Sequence, residues 1–191
     1  MSPTLAQHGT LWCAPAANMS ANLKTLQSPC LASPRVATVI RSFRAAQEKR
    51  VAGYGEFDRQ LQGMIRACSF TEYPAACSTA TATFAEISTD ARAAIDILKE
   101  AGDEAEAAAR YAEQIQRLEA EKLTLTAALH LDMIRRRKLV PEEEEEDGTA
   151  SQNTTVLSID QSLAQVRDKL QAVVAAINEN MEGLAAESAD Y

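Results

Sequence analysis

Apolar residues recur along this chain at the alternating four- and three-residue spacing of a helix with one buried stripe. The first such ladder runs Val36, Ile40, Phe43, Gln47, Arg50, Tyr54, Phe57, Leu61, Met64, Cys68, a heptad seam with two polar rungs near its middle. Ser33-Pro34 predicts its start, as an N-cap followed by proline at the first helical position. Gly53 and Gly55 flank Tyr54 without breaking the phase of the seam, which points to close approach of another backbone rather than a kink. Residues 69–74 read as a turn, and Pro74 opens a second helix with the ladder Cys77, Ala80 or Thr81, Phe84, Ile87, Ala91, Ile95, Leu98, stopped at Gly102.

The third pattern, over Asp103–Lys138, has two apolar arcs. Ile115, Leu118, Leu125, Leu129 and Met133 form one; Leu123, Leu131 and Ile134 form the other, with Ala127 beside them. Glu121, Thr124, Ala128 and Asp132 mark the wet side. A helix with two arcs packs between neighbours, so this is the expected central helix. Asp103-Glu104-Ala105-Glu106 resembles a capping box at its start, and Arg135-Arg136-Arg137-Lys138 complements the helix dipole at its end. Leu139-Val140-Pro141 breaks it. Ser158-Ile159-Asp160-Gln161 is a second capping box, and the last ladder is Ile159, Leu163, Val166, Leu170, Val173, Ile177, with Met181 and Leu184 beyond. This clean seam is expected to pack on the arc of the central helix that holds Leu123 and Leu131.

The fold class that follows is all-α: an elongated antiparallel helical bundle of three long helices, plus a fourth after an acidic linker, with coiled-coil-like packing. Expected boundaries are a disordered tail over 1–33, a three-helix core over 34–138, an acidic flexible linker over 139–156, and a C-terminal helix over 157–187 packing on the core. Abundant alanine and few aromatic residues favour helices in close approach over a sheet core. The tail has no acidic residue and one Lys or Arg, Lys24, so an organelle targeting segment is the rival reading of it. No run of apolar residues is long enough to span a membrane, and a secretory signal is not expected, because residues 1–33 lack a charged region followed by an apolar run. The four cysteines are accordingly expected to be reduced.

Charge changes the picture by its distribution. The net charge is −8, and Glu142–Asp147 is an unbroken acidic run that reads as a solubilising linker. The first helix is basic and the later half acidic, whereas a domain that wraps nucleic acid by neutralising phosphates is basic throughout. Direct nucleic-acid binding therefore rests on helix one and Arg135–Lys138 alone. Arg135, Arg136, Arg137 and Lys138 are the candidate interaction residues, set against the plainer reading of a solvated helix end.

Catalytic, cofactor-binding and metal-ligating residues are expected to be none. His8 and His130 lie in different contexts, and His130 sits beside an apolar arc, where a packed or partly exposed imidazole is expected over a catalytic base. No Cys or His pair has the spacing of a zinc site. Cys68 and Cys77 end one helix and begin the next; buried apolar side chains are the favoured reading over a redox pair. Gly53-Tyr54-Gly55 lacks the preceding strand and the G-K-[ST] of a phosphate loop.

Three groups of residues carry a family resemblance: Phe43–Arg50 with Tyr54 and Phe57; Tyr73-Pro74, Cys77, Thr81, Phe84 and Ile87-Ser88; and Ile115–Thr126, ending in EKLTLT. Together, over roughly residues 36–130, they are similar to the "required for excision" B-type family, small eukaryotic helical proteins linked to DNA excision repair. The resemblance implies a role in DNA repair, a nuclear location and protein partners, with cytoplasm as the alternative location and no catalytic residue to transfer. The expectation is a non-enzymatic accessory or adaptor, with a structural coiled-coil subunit of a cytoskeletal or ciliary assembly as the alternative.

Overall fold

A computed structural model describes residues 34–140 and 150–189, and every described segment longer than a turn is helical. Helix α1 spans Pro34–Ala67, α2 spans Tyr73–Glu100, α3 spans Glu106–Leu139 and α4 spans Ala150–Ala189, with a 3-10 turn over Gly102–Ala105 between α2 and α3. At 34 residues, α1 and α3 each run about 50 Å, so the bundle is elongated. Among the described residues no helix is long and apolar enough to cross a membrane.

Chain reversals are built as the sequence suggests, with instructive differences. α1 ends in a left-handed residue, Cys68 at φ 49°, whose N–H donates to the Ile65 carbonyl while Ser69 N–H donates to Met64. That is the paired hydrogen bonding of a Schellman cap, with cysteine standing where glycine is usual. Cys68 is consequently exposed rather than buried, and Cys77 is half-buried; both are free thiols. Gly102, at φ 67°, stops α2 as its position implies. The capping box at Asp103 does not form: Asp103 and Glu104 lie in the 3-10 turn, and α3 opens at Glu106 without a side-chain cap. Nor does Ser158 start the last helix, because α4 begins eight residues earlier, at Ala150. Residues 1–33 and the acidic run 142–147 lie outside the described residues.

Pairs of contacts fix the directions. Arg50 meets Ser88 and Tyr54 meets Phe84, so α1 and α2 are antiparallel. Arg50 meets Gln116 and Arg137 meets Ile65, so α1 and α3 are parallel. Asp132 meets Ser162 and Arg136 meets Asp160, so α4 returns antiparallel to α3. The strongest pairings are α3 with α4 and α1 with α2, and both α1 and α3 touch all three other helices. The central role expected of α3 is thus shared with α1.

The larger apolar cluster fills one half of the bundle. There Val36, Ile40 and Phe43 of α1 meet Ile95 and Leu98 of α2, Ala108, Ala112 and Ile115 of α3, and Val173, Ile177 and Leu184 of α4. The alanines on α2 and α3 bring backbones close. Two glycines make room for aromatic rings and not, as expected at Gly53, for another backbone: a Cβ on Gly53 would lie 3.1 Å from the Phe84 ring, and one on Gly183 would lie 2.6 Å from the ring of Tyr111. Gly55 has open space around it and plays no such part.

The two arcs of α3 have partners other than those expected. Leu123 packs with Tyr54, Phe84 and Ile87, so its arc faces the α1–α2 hairpin. Leu131 on that arc is 46% exposed. Tyr111, Leu118 and Leu125 join the cluster to which α4 contributes, and Asp132, expected on the wet side, is buried against Ser162. α4 therefore sits on the arc that carries Leu118 and Leu125.

Candidate functional site

Beyond Ile115 the buried seam of α3 continues at the same spacing, but its rungs become polar. Ala108, Ala112 and Ile115 are followed by Glu119, Lys122, Thr126 and His130, all buried. Opposite them lie the polar rungs of α1, Gln47 and Arg50, also buried. Two interrupted ladders thus face each other, and their interruptions coincide in a polar layer across the bundle.

Arg50 organises one side of that layer. Its guanidinium donates to the Ser88 hydroxyl at 2.9 Å and to the Gln116 side-chain carbonyl at 2.8 Å, joining α1, α2 and α3. Burial lowers its pKa, and the neighbouring Glu119 and Tyr54 oppose that shift. On α3 the Lys122 ammonium lies 3.5 Å from Glu119 Oε1 and 4.1 Å from the centre of the Tyr54 ring, a cation–π contact that offsets part of its desolvation. Burial pulls the Lys122 pKa down while Glu119 pulls it up. The Tyr54 hydroxyl points at the backbone carbonyl of Glu119, and burial, reinforced by the Glu119 charge, pushes its pKa up. Among the described residues Gln47 Nε2, Arg50 Nη1 and Glu119 Oε2 are buried without a hydrogen-bond partner. A buried layer of two cations and one carboxylate with incomplete hydrogen bonding adds little net stability, because desolvation offsets its Coulombic attraction.

One turn further on, His130 is 1% exposed, with its ring 4.5 Å from that of Phe57 and 6.2 Å from that of Tyr73. Burial among aromatic rings lowers its pKa to about 4, so the imidazole is neutral at physiological pH. It is a packed histidine, as its place beside an apolar arc suggests. Among the described residues no group of three or more His, Cys, Asp or Glu side chains is arranged to hold a metal ion.

The four basic residues at the end of α3 divide between surface and structure. Arg135 is largely exposed and pairs with Asp132 at 3.1 Å. Arg136 bridges to Asp160 of α4 at 2.6 Å, and Arg137 donates to the Ile65 carbonyl of α1 at 2.9 Å and to the Val140 carbonyl at 3.3 Å. The Lys138 ammonium lies 5.6 Å from the centre of the Phe70 ring. As candidate interaction residues these four are not alike, since Arg135 and Lys138 are exposed while Arg136 and Arg137 are half-buried. The polar layer is absent from the sequence reading, and its signal is the coincidence of polar rungs along α1 and α3.

No curated protein and no solved structure matches the chain. A match does come from the family described as DNA repair REX1-B, over residues 38–133. That span takes in nearly all of α1, the whole of α2, and α3 through the polar layer and His130; it stops before Arg135 and excludes α4. Covering half of the sequence with the layer that joins its helices, the match shows that this chain belongs to the DNA repair REX1-B family.

Proposed function

We propose that the protein serves DNA repair in the nucleus as a non-enzymatic adaptor, working through contacts between its helical surfaces and other proteins. The observation that supports this reading is where its polar chemistry is placed. Arg50, Glu119, Lys122 and Tyr54 are directed at one another between helices, and their exposures of 2–6% keep them from a substrate. Nucleic-acid incision or unwinding calls for such groups around an open cleft, with a metal, a phosphate loop or an activated nucleophile. Here they join the helices of a scaffold whose outer faces remain for binding.

The test is a null strain challenged with ultraviolet light and rescued with the wild-type chain. Damage sensitivity restored by rescue is expected, together with purified protein that leaves damaged DNA uncut and hydrolyses no ATP. Normal damage tolerance in the null strain would sink the repair role, and metal-dependent cleavage by the pure protein would sink the adaptor mechanism.

A further inference from the structure

The α1–α2 hairpin carries a second pair of heptad ladders, each one residue out of phase with its core seam and so about 100° around its helix. On α1 this ladder is Lys49, Gly53, Glu56, Gln60, Gly63, Ala67. On α2 and the residue before it, this ladder is Glu72, Ala76, Thr79, Thr83, Glu86, Asp90. All twelve line a single trough between the two helices, which has one section of about 560 Å³ and another of about 820 Å³; the two share Gln60, Ala76 and Thr79. Phe57, Phe84 and Ile87 form the floor of the first section. Small side chains on both walls leave room for a third helix to approach closely, and four-three spacing on both walls is what knobs of a third helix require.

We propose that this trough is the docking site of an amphipathic helix of a partner protein, with small or apolar residues on its buried face and Lys or Arg along its flanks. The inference deepens the adaptor reading and rests on it. From Lys49 to Ala67 the trough extends about 27 Å, the length of an 18-residue helix. Its charge selects the flanks: Glu56, Glu72, Glu86 and Asp90 line it against one cation, Lys49. Glu56 is shared with Arg59, which leaves the carboxylates on α2 as the main attraction. The chain's own first 33 residues contain one Lys or Arg, a poor complement to this wall. A second copy brings a net charge of −8 toward an acidic trough, which also disfavours it.

The experiment uses the full chain and a fluorescein-labelled peptide of about 20 residues, Ala and Leu at a and d and Lys and Arg at e and g, read by anisotropy. A control peptide keeps the apolar positions and carries Glu at e and g. The basic peptide should bind at least about tenfold tighter than the acidic one, and lose affinity as salt is raised. Gly63→Leu should weaken it about tenfold or more by filling the trough; a Cβ there meets nothing within 4 Å, and leucine is the better helix former, so the fold is retained. Glu86→Lys combined with Asp90→Lys should reverse the preference between peptides. Equal binding of both peptides, no binding of either, or indifference to Gly63→Leu would overturn the proposal. So would sedimentation as a dimer that Gly63→Leu dissociates, because a second copy would then own the trough. Damage sensitivity of the null strain is untouched by any of these outcomes, so the two readings fail separately.

Discussion

Glu119 is the one carboxylate in a buried layer that also holds Arg50 and Lys122, and this asymmetry makes a sharp prediction. Glu119→Gln leaves two cations facing each other with no counter-charge, and should cost about 3–5 kcal/mol. Lys122→Met leaves Arg50 and Glu119 as a near-balanced pair and removes a desolvated ammonium, so it should cost about 1 kcal/mol or less. Urea titrations followed by circular dichroism compare the two; equal costs would mean that the layer is wetter than its burial indicates. His130 supplies the pH dependence. Its pKa falls from 6.5 to about 4 on folding, so the unfolded chain binds the extra proton and stability is lost as pH drops below the unfolded value. Between pH 7 and pH 5 the loss from this group should be about 2 kcal/mol, and His130→Leu should remove that increment. A variant with the wild-type pH profile would show that the imidazole protonates in place. Of these residues only His130 stands out in the sequence. Hydrophobicity alone does not place Glu119 and Lys122 in the core; their signal is that they continue the 108–112–115 spacing.

At the scale of elements the sequence was far more legible. The ladders of α1, α2 and α4 name most of the residues that are buried on each helix, since a seam at four-three spacing has no other way to hide its apolar side chains. What misled was local chemistry at helix starts. Asp103 and Ser158 have the right neighbours for capping boxes, yet a 3-10 turn takes the first, and α4 runs through the second from Ala150. Intrinsic cap preferences are worth about 1 kcal/mol, which tertiary packing overrides. The assignment of α4 to the Leu123–Leu131 arc failed for a related reason: hydrophobicity says that an arc is buried, not by which neighbour. Leu184, fully buried where α4 meets the core, should cost about 2–5 kcal/mol when cut to alanine. Leu131→Ala, at 46% exposure, should change stability by no more than about 0.5 kcal/mol. A large loss at Leu131 with a small one at Leu184 would put α4 back on the arc first expected.

For the molecule as a whole, the bundle is an apolar half joined through a charged layer to a half closed by aromatic rings and basic side chains. Its two ends are fastened differently. Beyond the polar layer, α3 is fixed to α1 by Arg137 on the Ile65 carbonyl and to α4 by Arg136 on Asp160 and Ser162 on Asp132. The basic run at 135–138 therefore closes one end of the bundle whatever else it contacts, and reversing all four charges at once would confuse recruitment with unfastening. Single changes separate the two. Arg137→Ala removes charged hydrogen bonds to two carbonyls on different segments and should lower stability by about 1–2 kcal/mol. Arg135→Glu touches a mostly exposed ion pair and should cost about 0.5 kcal/mol or less. Thermal and urea unfolding measure both. If Arg135→Glu impairs damage tolerance in cells while the protein stays as stable as wild type, this end of the bundle binds a partner. If only Arg137→Ala impairs it, in proportion to lost stability, the basic end is a clasp and the binding surface lies elsewhere, on the α1–α2 face.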